Sequence, residues 1–161
     1  METKFQKFHL ITYGIKNFDR KKFIPIKNER FVKPKGGLWA SPVKSKFGWL
    51  EWCTREEFRA EHYKAKSFTF WYSGNVFTID SLKDSLHMPW KKDYDILYFI
   101  DFEYMQSVGV DAVHLTLKGE YETRFSMPRS LYGWDCESVL ILNPNGIEEK
   151  EKIKYAKTPK R

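Results

Sequence analysis

The sequence predicts an α+β fold: one compact domain of two small, mostly antiparallel sheets with one or two helices. Three observations carry that expectation. Five or six short runs alternate apolar and polar residues or concentrate aromatic and β-branched types, the marks of strands. Helical spacing is confined to one or two segments. The length, 161 residues, is that of a single domain.

Taken in order, residues 5–13 hold Phe, His, Ile and Tyr in near alternation and read as a half-buried strand closed by Gly14. Residues 16–35 are basic and irregular, with Pro25 and Pro34 barring a helix. KPKGGLWASP (33–42) reads as a turn leading into a short strand. Trp49 to Tyr63 is the strongest helix candidate, with Thr54 and Glu57 at capping-box spacing and Phe58 and His62 on one face. SFTFWYSGNVFTIDS (67–81) reads as a hairpin turning at Ser73-Gly74-Asn75. The stretch 82–90 is ambiguous. Residues 96–108 start as strand or helix, run into a helix and stop at Gly109. DAVHLTL (111–117) is a strand, 120–132 with Pro128 a loop, and ESVLIL (137–142) the clearest strand. A domain over 1–146 and a charged, frayed C-terminal tail over 147–161 complete the expected organisation.

Composition narrows the function classes. Hydrophobic residues make up 42% and aromatic residues 17%, too much apolar surface for a disordered chain. The longest apolar run, 96–100, lies between Asp95 and Asp101, far short of the roughly 20 residues of a membrane span. The N-terminus lacks the charged-then-apolar order of a signal peptide. Two cysteines, Cys53 and Cys136, are too few for a disulfide framework. An intracellular, cytoplasmic location is the expectation. Against 21 Asp and Glu stand 28 Lys and Arg, a net charge of +7, which serves solubility or an acidic partner such as nucleic acid or an acidic protein surface.

His9, His62, His87 and His114 are scattered singly, so no metal is expected. Walker, dinucleotide-fingerprint and nucleophile-elbow motifs are absent. Cys53, just before the proposed helix, is a candidate low-pKa thiol; Cys136 reads as a packing residue. Two segments remain. In Lys35-Gly36-Gly37-Leu38-Trp39-Ala40-Ser41-Pro42, paired glycines permit close approach and Trp39 offers either a stacking surface or a core side chain. In Tyr132-Gly133-Trp134-Asp135-Cys136-Glu137-Ser138, two carboxylates two residues apart share a face if extended, at the head of a buried strand.

A strand ending in Tyr13-Gly14, then GGLWASP, then an acidic residue opening a late strand together resemble the motif order of ADP-ribosyltransferase folds. The resemblance touches about a fifth of the chain. It implies that Tyr13, where many relatives carry His or Arg, and Gly14 grip the nicotinamide carboxamide, with His9 a substitute. It implies that Gly37, Trp39 (for the usual Tyr) and Ser41 sit beside the nicotinamide ring. Glu137 would be the catalytic carboxylate and Asp135 the shorter counterpart of the acid two residues before it. Small size and basic charge also suit a phage or mobile-element effector, acting in a host cytoplasm.

The implied activity is NAD-dependent transfer of ADP-ribose to a macromolecular acceptor, a host protein or nucleic acid, with NAD as substrate. Its transition state is oxocarbenium-like, which a carboxylate near the ribose stabilises. Glu137 is the expected stabiliser, Asp135 the group that orients or deprotonates the acceptor, and Lys33, Lys35 or Arg30 the diphosphate partners. Two other readings compete. One is a noncatalytic nucleic-acid-binding module using aromatics interleaved with Lys, as in Lys66–Tyr72 and Lys91–Tyr98. The other is an inhibitor that blocks a host protein.

Overall fold

A computed structural model describes residues 1–30, 32–92 and 98–148. Its strands are β1 Lys4–Tyr13, β2 Leu38–Pro42, β3 Ser67–Ile79, β4 Trp90–Lys92, β5 Tyr98–Ile100, β6 Ala112–Leu115, β7 Ser138–Ile141 and β8 Ile147–Glu148. The helices are short: α1 Trp49–Arg55, α2 Ala60–Ala65, α3 Leu82–Leu86, α4 Phe102–Ser107 and α5 Leu117–Thr123. The α+β class holds, with a different sheet arrangement from the two small sheets expected. Strand β1 pairs with both β2 and β3, β2 with β7, β7 with β6, and β6 with β3. Five strands therefore close into a barrel-like ring, antiparallel except for β3–β6. Strands β4 and β5 form a separate two-stranded sheet.

Alternation along these strands builds two cores. Leu10, Ala40, Phe70, Tyr72, Val76, Ala112, Val139 and Ile141, from all five strands, fill the inside of the ring. The opposite side chains of β3, β6 and β7, among them Phe77, Val113, Leu115 and Leu140, pack outward against Phe102, Met105, Leu131 and Trp134. Trp134 is fully buried, and its indole N–H donates to the Val32 carbonyl at 2.9 Å.

Three local readings are corrected. Residues 67–79 are one long strand, not a hairpin: Ser73, Gly74 and Asn75 stay extended opposite Lys7, Gln6 and Phe5. Gly74 permits close packing there, since a Cβ would lie 2.9 Å from the Asp111 Cβ. The 49–63 helix is split, because Glu57 and Arg59 take left-handed backbone angles between α1 and α2. Thr54 lies inside α1, its hydroxyl donating to the Leu50 carbonyl, while Glu51 receives the Gly48 N–H. The expected loop at 120–132 begins as the end of α5, capped by Thr116. Ile147 and Glu148 of the expected tail pair with Tyr72 and Trp71; the remainder, 149–161, lies outside the described residues. No described helix is long and apolar enough to cross a membrane.

Candidate functional site

An aromatic hollow of about 270 Å³ opens on the outer face of β1, β2 and β7. Tyr13, Trp39 and Ser41 line it from β1 and β2, Trp49 and Tyr63 from the two helices that follow, and Trp134 and Ser138 from the β7 side. The volume is at the small end of ligand pockets, suited to one ring and part of what it carries. Its walls brace one another. Trp39 meets Trp134 edge-on at 4.8 Å, Tyr63 meets Trp49 edge-on at 5.7 Å, and Trp52 stacks behind Trp49 at 4.9 Å. Lys33 stands at the rim, its ammonium 6.0 Å from the Trp39 ring and 3.0 Å from the Asp135 carboxylate.

The polar groups of the hollow are fixed by its surroundings. Burial, then the nearby Glu51, Cys53 and Cys136, push the Tyr13 phenol up to about 12, so it stays protonated and keeps a hydrogen to donate. Ser41 is 2% exposed. Its hydroxyl donates to the Glu137 carbonyl at 3.2 Å and accepts the Trp49 N–H at 3.0 Å. Ser41 thus ties β2 to β7 and fixes the start of α1, holding the Trp49 ring over the hollow. Gly48 allows this contact, since a Cβ there would lie 2.9 Å from the Ser41 Cβ.

The other expected site residues lie elsewhere. Glu137 immediately precedes β7, and strand alternation turns it to the face opposite Ser138. Its carboxylate is in the barrel mouth, 3.0 Å from His114 Nε2 and accepting the Ser45 hydroxyl at 2.6 Å. Burial acts to raise the Glu137 pKa, but the hydrogen bonds from His114 and Ser45 and the His114 charge outweigh it and hold the carboxyl below its ordinary value. His9 is on the exposed face of β1, stacked on Trp71 at 4.7 Å. The Gly14 N–H, expected to grip a carboxamide, donates instead to the Lys66 carbonyl at 2.6 Å. The Gly37 N–H donates to the Ile24 carbonyl, and a Gly37 Cβ would press on Ile141 and Leu140. The Lys35 backbone bridges to Lys27; of the expected cations, Lys33 is the one that lines the hollow.

Neither cysteine is an activated thiol. Cys53 lies within α1, buried, and burial raises its pKa. Burial likewise pushes Cys136 up to about 12. Among the described residues no three His, Cys, Asp or Glu side chains gather as a metal site would need. Residue reasoning missed Trp49, Tyr63, Trp134 and Ser138. Their signal was available only as aromatic density, because chain separation hides that Trp49 and Tyr63 face Trp39.

No protein-family model matches the chain, and neither the curated proteins nor the solved structures include a match.

Proposed function

We propose that the chain binds the nicotinamide end of NAD in the aromatic hollow and transfers ADP-ribose to a macromolecular acceptor, on an ADP-ribosyltransferase-like scaffold. One observation carries the reading: Tyr13, Trp39 and Ser41, drawn from two motifs far apart in sequence, line a single ring-sized hollow. Nicotinamide is planar and neutral once released, so aromatic walls and a phenol donor suit it. Lys33 at the rim offers a cation to the diphosphate.

The carboxylate assignment changes with the geometry. Glu137 is engaged by His114 and Ser45 on the other face, so its role here is to pin the barrel mouth. Asp135 is joined to the hollow through Lys33 and becomes the group that faces the ribose and the acceptor. In the step itself, the bond from ribose C1′ to the nicotinamide nitrogen breaks and its electron pair leaves with nicotinamide. An acceptor oxygen or nitrogen bonds to C1′, and its proton passes to Asp135 and then to solvent. A noncatalytic ring-binding module is the second reading, favoured by Ser138 rather than a carboxylate projecting from β7 into the hollow.

Nicotinamide release from NAD in the presence of a cell lysate tests both. The transferase reading expects release that falls about 100-fold or more in Asp135→Asn and persists in Glu137→Gln. Saturable NAD binding with no release supports the second reading. Absence of both binding and release contradicts the proposal.

A further inference from the structure

We propose that the aromatic hollow is a cage for an organic cation whose nitrogen bears no hydrogen, an N-substituted pyridinium or a quaternary ammonium. Five of its walls are rings: Tyr13, Trp39, Trp49, Tyr63 and Trp134. Trp39 and Trp134 stand 74° apart, and Trp49 and Tyr63 78° apart, so the rings meet as the corners of a box and not as a flat platform. A ring face carries negative charge density that attracts a cation, most strongly for Trp and where water is excluded.

The faces are turned the right way. Trp52 covers one face of Trp49 from behind, 14° from parallel at 4.9 Å, and the hollow receives the other. The chain's own cation already uses Trp39: the Lys33 ammonium lies over that ring at 6.0 Å, at the outer limit of such a contact. Asp135 at 3.0 Å balances the Lys33 charge, so the rim as a pair does not repel a second cation. The local field has the same sign. After burial, the Glu51 carboxylate is the largest influence raising the Tyr13 phenol to about 12, and a charge that opposes a phenolate favours a cation.

The polar atoms decide which cation. The Ser41 hydroxyl donates to the Glu137 carbonyl and the Ser138 hydroxyl to the Cys136 carbonyl, while the Asp135 carboxylate is held by Lys33. An ammonium with N–H groups would give up its water partners for few replacements. A fully substituted nitrogen has no such donors to satisfy. Oxidised NAD carries a cation of this class and reduced NAD does not, so the cage favours the oxidised form; this consequence alone rests on the reading above. Once the bond to ribose breaks, the ring is neutral, and the walls hold product less tightly than substrate.

The test is calorimetric titration of the full chain with two matched pairs. One is nicotinamide methylated on its ring nitrogen against nicotinamide; the other is choline against the neutral alcohol with carbon in place of its nitrogen. The cation should bind about tenfold more tightly than its neutral partner. A preference in one pair alone supports the cage and names its source, pyridinium or alkylammonium. Trp49→Leu should erase most of the preference, and Trp71→Leu, outside the hollow, should leave it intact. Lys33→Met leaves Asp135 unpaired and should tighten binding of the cations about threefold while weakening NAD, whose diphosphate loses its partner; this readout serves if the Trp49 variant folds poorly. Equal affinity within both pairs, or no binding of either cation, would overturn the proposal, and NAD binding in that case would leave the NAD reading standing. Cation binding without NAD binding would keep the cage and refute the NAD reading.

Discussion

Glu137 and Ser138 are neighbours in the chain and belong to different environments. Ser138 faces a hollow walled by uncharged rings. Glu137 faces a barrel mouth where it is hydrogen-bonded to His114 and Ser45. A strand turns successive side chains to opposite faces, so a shift of one residue decides which surface receives a carboxylate. The comparison teaches that an acid at the head of a buried strand is not placed in a cleft by its position in sequence. The cross-strand partners place it, and here they are His114 on β6 and the segment after β2.

Substitutions on the two sides should separate a wall of the hollow from a pin of the barrel. The largest effect is expected at Trp134, which serves both the hollow and the outer core: Trp134→Ala should lose about 3–5 kcal/mol of stability, read as a fall in the denaturant midpoint. A loss below about 1 kcal/mol would mean that the hollow and core are not coupled through this ring.

Glu137→Ala should lose about 1–3 kcal/mol at neutral pH, because buried His114 and half-buried Ser45 lose a charged acceptor, while ligand binding in the hollow is unchanged. The effect should depend on pH in a defined direction. The folded state holds the Glu137 pKa below its ordinary value. Its stabilisation is therefore present above the unfolded pKa near 4.5 and disappears as pH falls through the lower folded value. Unfolding curves of wild type and variant should converge in acid; a constant gap down to the lowest pH would contradict the role of the hydrogen-bonded carboxylate.

The smallest effect is expected at Ser41. Ser41→Ala removes the acceptor for the Trp49 N–H and should lose about 1 kcal/mol, in the range of a helix cap. Its signature is loosening of Trp49, seen as a changed tryptophan emission, with β7 still in place.

The sequence was readable where one period dominates. β1, β2, β6 and β7 follow from alternation and bounding turns, and α4 with its stop at Gly109 from the same kind of local signal. The long β3 was not, because Gly74 looks like a turn residue and only Asp111 and Tyr72, distant or inward-facing, show that it is needed for close packing. The split between α1 and α2 depends on left-handed angles at Glu57 and Arg59, residue types that do not announce them. Of the candidate site, Tyr13, Trp39 and Ser41 were legible as motif residues. Trp49, Tyr63 and Trp134 enter the hollow only through tertiary packing, and the inward turn of Glu137 follows from register with β2 and β6.

In the proposed function these aromatic walls bind the nicotinamide ring of NAD independently of Glu137. Titration of NAD against intrinsic tryptophan fluorescence tests it most directly. Saturable quenching is expected in the wild type and in Glu137→Gln, with its loss in Trp39→Ala, the fold being retained by circular dichroism. Quenching absent from the wild type, or abolished in a folded Glu137→Gln variant, would contradict it.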